Sequence, residues 1–123
     1  MNTADDIMSL NLAVIGGVCS SGAVVRVLPS TETLVQLQVT TRVEGQPRSV
    51  PVSVLNPPGW VEELDAGDEV LVVGQVRRRF FQAAGTTASR VEIEAEFVGR
   101  PGDRRRRATA RRRIDERLVA LDD

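Results

Sequence analysis

Histidine, lysine and tyrosine are absent from this 123-residue chain, and Cys19 is its single cysteine. Without His or Lys, the commonest proton shuttle and the commonest amine nucleophile are missing. One Cys without His makes neither a zinc cluster nor a thiol–imidazole pair. The chain is therefore read as a non-enzyme, with no cofactor and no metal. A lone Cys excludes an internal disulfide and suits a reducing compartment. Because Cys19 lies in an apolar run, it is expected to be a buried, inert thiol. Aromatics are scarce, limited to Trp60, Phe80, Phe81 and Phe97. No apolar stretch approaches the length of a membrane span. Residues 1–9 carry Asp5 and Asp6 but no cation, unlike a signal peptide. A cytoplasmic protein with no membrane partner is expected.

The cationic charge that is present comes entirely from arginine, and it is unevenly placed. Residues 1–99 hold 7 Arg against 12 acids, while residues 100–117 hold 9 Arg against 3 acids. The formal net charge of −1 conceals this asymmetry, so overall charge is a poor guide to partners. The acidic cluster Glu62, Glu63, Asp65, Asp68 and Glu69 matches no calcium-loop spacing and reads as solvated loop charge. Gly16-Gly17 lacks the spaced glycines and following helix of a phosphate loop.

Residues 10–98 read as short strands separated by turns. Leu10–Cys19 is apolar, and Gly16-Gly17 is expected to bend it between two sheet faces. After the loop Ser20-Ser21-Gly22 the chain continues extended over Ala23–Leu28. Thr33–Arg42 alternates, with Val35, Leu37 and Val39 on one face and Gln36 and Gln38 on the other, as in a half-buried strand. Glu44-Gly45-Gln46-Pro47 turns into a third strand, Arg48–Leu55, with Pro51 at an irregular or edge position. A helical turn at Trp60–Leu64 precedes the fourth strand, Glu69–Phe81. Gln82–Ser89 reads as a flexible hairpin tip. The fifth strand, Arg90–Val98, alternates strictly, placing Val91, Ile93, Ala95 and Phe97 in the core and Glu92, Glu94 and Glu96 outside. Phe80 is expected in the core or at the barrel mouth.

Five strands with a short helical insertion after the third match an all-β, five-stranded OB-fold barrel of Greek-key type. A small sandwich is the competing architecture; the bent first strand favours the barrel. Residues 1–9 form an N-terminal arm, 10–99 the OB-fold domain, and 100–123 an Arg-rich C-terminal helix or disordered tail. In that segment Asp103 is a candidate helix cap. Ile114, Leu118 and Leu121 give a narrow apolar stripe at helical spacing.

Gly74-Gln75-Val76-Arg77-Arg78-Arg79-Phe80-Phe81 carries the chemistry. Alternate residues of a strand share a face, so Arg77, Arg79 and Phe81 project together. Two guanidiniums beside one ring offer charge to phosphates and a flat surface to an unstacked base. Glu92, Glu94 and Glu96 are expected beside these arginines, where they cancel part of the field. That shifts weight to Arg48 and Arg90, and to Arg104, Arg105, Arg106, Arg107, Arg111, Arg112 and Arg113 of the tail, as further phosphate contacts. Trp60 is divided between lid, core edge and ligand.

Over residues 10–99 these segments resemble the bacterial single-stranded DNA-binding protein family. Leu12-Ala13-Val14-Ile15-Gly16-Gly17-Val18 is similar to its opening strand, and Ala23-Val24-Val25-Arg26 to the step that follows. Leu34–Thr41 resembles its second strand, and Ala66-Gly67-Asp68-Glu69-Val70 the start of its fourth. The octapeptide resembles its "G-x-L-R-x-R-x-W", with Phe81 where a base-stacking Trp usually sits. The resemblance implies sequence-tolerant binding of single-stranded DNA, or RNA, in replication and repair at the nucleoid. It also implies a homodimer or homotetramer assembled through sheet edges. Two departures matter. The ring-bearing loop and third strand are replaced by Val43-Glu44-Gly45-Gln46 and Val50-Pro51-Val52-Ser53-Val54. The acidic tail that recruits partners gives way to the arginine-rich segment, so that recruitment is not expected. Gly16-Gly17-Val18-Cys19 also resembles the opening of the B-type primosomal protein, a variant with few aromatics. Two alternatives remain open: an OB-fold interaction or oligomerisation module that has lost its stacking sites, or a barrel whose arginine tail alone contacts nucleic acid.

Overall fold

A computed structural model describes residues 8–122. Residues 1–7 of the expected arm, and residue 123, lie outside the described residues. In chain order the elements are β1 (Ala13–Cys19), β2 (Val24–Val27), β3 (Thr33–Val43), β4 (Gln46–Leu55), α1 (Gly59–Glu62), β5 (Glu69–Ala83), β6 (Thr86–Gly99) and α2 (Arg104–Leu118). A 3₁₀ turn, Val119–Leu121, follows α2.

The strands run β1-β5-β6-β4-β3, and a β1–β3 pairing closes the ring. Every pairing is antiparallel except β4–β6, where Val52, Ser53 and Val54 meet Ile93, Glu94 and Ala95 in parallel. This is the closed, mixed Greek-key barrel of an OB-fold. One extra strand, β2, continues β1 along the same edge of β3, pairing Val24 with Gln36 through Val27 with Thr33.

The glycine pair bends β1 as expected. Ala13–Val18 pairs with β5, and Val18 and Cys19 then pair with Thr40 and Val39 of β3. Gly17 lies where the two backbones cross: a Cβ there would stand 2.2 Å from the Thr40 carbonyl oxygen. Val35, Leu37 and Val39 fill the barrel from β3, joined by Val52, Val54, Val70, Val72, Ile93 and Val98. Each such side chain contributes roughly 1.5–3 kcal/mol by leaving water. Cys19 belongs to the same cluster, and burial, with Asp68 nearby, pushes its thiol pKa up.

Two sequence expectations about the β5–β6 hairpin are corrected. Its tip is not an eight-residue flexible loop. The strands stay paired to Ala83 and Thr86, and Ala84 and Gly85 form a two-residue turn with φ of 49° and 83°. Positive φ at both positions marks a type I′ turn, whose twist suits a hairpin. Nor does β6 alternate strictly. The ladder slips between Val73 and Gly74, so that Phe97 faces Val73, Ala95 faces Gly74, and Glu96 has no partner. This bulge reverses the parity of everything beyond it. Val98 enters the barrel, while Phe97 turns outward into a second cluster with Val73 and Ala110.

That second cluster docks α2, and the expected choice between helix and disordered tail resolves as a helix over Arg104–Leu118. Asp103 caps it, accepting the backbone N–H of Arg105 at 3.0 Å and of Arg106 at 3.2 Å. The apolar stripe is displaced from the expected one. Ala110 is buried and Ile114 half-buried against Leu12, Leu71 and Phe97, whereas Leu121 is 53% exposed. Among the described residues no helix is long and apolar enough to cross a membrane.

Candidate nucleic-acid interface

Among the described residues no strand flanks the β5–β6 hairpin from Arg77 to Val91, because β1 leaves β5 at Gly74 and β4 meets β6 only from Ile93. The hairpin therefore projects beyond the barrel and is wet on both faces. Val91, expected in the core, is 44% exposed for this reason. Phe80, also expected to pack inward, is 66% exposed and Phe81 42% exposed.

The projecting hairpin forms one wall of a groove, and β2 and β3 form the other. Arg79, Phe80, Phe81, Gln82 and Arg90 face Arg26, Leu28, Leu34 and Gln36 across about 470 Å³. Sharing Leu28, Leu34 and Arg79, a continuation of about 310 Å³ adds Glu32, Ser53, Leu55, Arg77 and Glu94. The structure thus brings together Arg77, Arg79, Phe81 and Arg90 from the expected set. It adds Arg26, Gln36 and Gln82, which strand period around the octapeptide alone did not single out. Strand period puts Arg26 on the same β2 face as Leu28, but that this face lines the groove is set by the pairing of β2 with β3.

The arginines of this face are paired, as the alternation of glutamates implied for two of three positions. Arg77 bonds Glu94 through Nη1, with both side chains 45% exposed. Arg79 donates from Nε to Glu92 Oε1 at 2.8 Å, and the Arg90 Nε lies 3.8 Å from the same oxygen. Glu92 is 1% exposed. Burial alone would raise its pKa, but the Arg79 hydrogen bond, the Ser53 hydroxyl and the charges of Arg79 and Arg90 outweigh this and hold it below its ordinary value. Glu96 does not join them. The bulge turns it toward α2, where it pairs with Arg117.

Other expected contacts lie elsewhere. Arg48 lines a separate apolar cleft with Ile15, Val50, Val76 and Val91; its Nη1 donates to the Pro47 carbonyl at 3.3 Å. Trp60 packs its ring against the barrel core, with the Arg100 guanidinium 4.7 Å from the ring centroid. Neither residue lines the groove. On α2, the guanidiniums of Arg106 and Arg113 lie 6.0 and 5.9 Å from the Phe97 ring centroid. Arg107 donates to the Pro101 carbonyl at 2.8 Å, and Arg111 to Asp115 at 3.2 Å. Arg104, Arg105 and Arg112 are exposed, without an ion-pair partner among the described residues.

Around the groove stand four guanidiniums (Arg26, Arg77, Arg79, Arg90), three carboxylates (Glu32, Glu92, Glu94) and two exposed rings. Such a surface suits an anionic chain carrying flat groups better than a compact anion. No protein-family model matches the chain, and a search of curated proteins finds no match.

Proposed function

We propose that this OB-fold protein binds single-stranded nucleic acid, DNA in the first instance, with tolerance for sequence and without catalysis. The observation that supports this reading best is the groove in which Arg26, Arg79 and Arg90 accompany the exposed Phe80 and Phe81. Guanidiniums that track a backbone and rings that stack on any base are what sequence-tolerant binding needs. The likeness of Gly74–Phe81 to the single-stranded DNA-binding protein family points the same way. In this reading the protein acts on strands exposed during replication or repair at the nucleoid. It assembles as a homodimer or homotetramer through strand edges. Arg104, Arg105 and Arg112 provide additional phosphate contacts.

The test is a titration of fluorescent oligo-dT at several salt concentrations. Saturable binding with a log–log slope of about −0.7 per phosphate engaged is expected. Absence of saturable binding at low salt overturns the reading.

One observation favours a second reading, a protein-interaction module. Among the described residues β2 pairs on one side only, and its Val24, Val25 and Val27 are 51%, 43% and 74% exposed. An apolar edge of this kind accepts an added strand. Under this reading Phe81→Ala leaves DNA binding unchanged and disrupts self-association or partner capture.

A further inference from the structure

We propose that Glu92 is a positioning residue of the groove, holding the guanidiniums of Arg79 and Arg90 side by side as the cation pair that receives a strand's phosphates. This role rests on the single-strand-binding reading above and distinguishes the acid that serves the groove from the acid that opposes it.

Glu92 and Glu94 are two residues apart on one face of β6, yet their settings are unlike. Glu94 meets Arg77 one to one, both 45% exposed, so the two charges cancel where water can replace either partner. Glu92 is 1% exposed, and its Oε1 serves two cations, Arg79 Nε at 2.8 Å and Arg90 Nε at 3.8 Å. One carboxylate beneath two guanidiniums leaves a net positive charge at that point.

Arg79 and Arg90 are direct partners across the β5–β6 ladder, where like charges repel. The carboxylate between their Nε atoms offsets that repulsion, holding Arg79 by a hydrogen bond and Arg90 by charge alone. Guanidinium carries five donors in a rigid fork. The Nη donors of both arginines have no protein acceptor among the described residues, and both residues line the groove together with Phe80 and Phe81. Cations held in place before binding lose less freedom when a phosphate arrives.

Glu92 Oε2 is buried with the Ser53 hydroxyl nearby but makes no well-aligned hydrogen bond among the described residues. A buried carboxylate left half-satisfied is a poor device for stability alone. It is intelligible where the carboxylate's task is to organise its neighbours.

Simple charge removal and loss of positioning predict opposite signs, which makes the test sharp. Removing an acid from an anion-binding face should tighten binding. If Glu92 positions Arg79 and Arg90, Glu92→Gln instead weakens oligo-dT binding about tenfold, the scale of one charge-assisted hydrogen bond. The salt slope then flattens by about 0.7 for each phosphate no longer engaged. Glu92→Asp keeps the charge but withdraws it by one methylene; it should weaken binding in the same direction, and it carries the test should Glu92→Gln fail to fold. A purely structural role would lower the folded fraction and leave the slope unchanged. In the DNA-free protein, the Arg79 Nε–H resonance should be resolved and should shift in both variants. Folded Glu92→Gln or Glu92→Asp protein that binds as tightly as wild type, with the same slope, overturns the proposal while leaving the function standing. Wild-type protein that binds no oligo-dT at low salt overturns the function, and this role with it.

Discussion

Phe97 of β6 packs against Ala110 of α2 on the outside of the barrel, the two being 7% and 2% exposed. The arginine-rich segment is therefore part of the folded body, because it covers a ring that the sheet alone would leave in water. Truncation after Gly102 should uncover Phe97 and Val73 at a cost of about 1.5–3 kcal/mol per large apolar side chain, lowering the thermal midpoint. A truncated protein that melts with the full chain would contradict this docking.

Since truncation disturbs the fold, the contribution of α2 to binding is better read by neutralising its exposed cations. Arg104→Gln, Arg105→Gln and Arg112→Gln together should leave the midpoint unchanged or slightly higher, because first-turn cations oppose the helix dipole. Oligo-dT binding should weaken, with the salt slope reduced by about 0.7 per phosphate released. An unaltered slope would take α2 out of the interface.

Phe81→Ala removes a ring that is 42% exposed and lines the groove. It should weaken oligo-dT binding by about 1–3 kcal/mol with little change in melting. Full affinity in this variant would leave the interaction-module reading as the better one.

Glu94→Gln frees the Arg77 guanidinium from an exposed ion pair. Exposed pairs contribute roughly 0–1 kcal/mol, so stability should hardly move. Binding should tighten, most visibly at low salt, where an uncancelled cation acts over a longer range. Titrations below and above physiological ionic strength measure the effect; weaker binding at both would show that Glu94 assists the groove.

The ionised state of Glu92 also sets an acid limit on stability. Its folded pKa lies below its ordinary value, so the contribution is fully present above an unfolded value of about 4.3. That contribution is lost as pH falls through the folded value. Urea unfolding of wild type and Glu92→Gln should differ most near neutrality and converge in acid. A difference that stays constant across this range would exclude the linkage.

Gly17→Ala should be severely destabilising, since the new methyl would meet the Thr40 carbonyl oxygen at 2.2 Å, whereas the same change at Gly16 finds only Leu71 Cδ1, at 3.9 Å. Backbone clashes within a barrel crossing belong to the small set of substitutions that cost more than about 4 kcal/mol. Parallel thermal melts of the two variants make the comparison.

Strand period and turn chemistry are local properties, and the chain carried them openly. Val35, Leu37 and Val39 alternate with glutamines, Gly16-Gly17 marks the bend, Asp103 caps the helix, and Arg77, Arg79 and Phe81 share a face. From these the barrel and half of the groove were legible. The opposite wall was less so. Arg26 meets Arg79 and Arg90 only because β2 and the hairpin flank one channel after the barrel closes.

The departures from expectation have a common physical origin, which is that local pattern carries no information about what stops flanking it. Phe97 would follow the alternation of β6, but the one unpaired residue Glu96, opposite the Val73–Gly74 step, reverses its direction. Val91 and Phe80 are apolar and in strands, and they remain wet because their neighbours end before reaching them. Glu92 and Glu94 look equivalent as letters. Only the closed structure buries one beneath two guanidiniums and leaves the other in solvent, because burial depends on every strand that converges there. Alternation and punctuation thus determined the strands of the barrel and the basic face; three-dimensional closure decided the strand order, which charges are held, which rings are covered and where the groove lies.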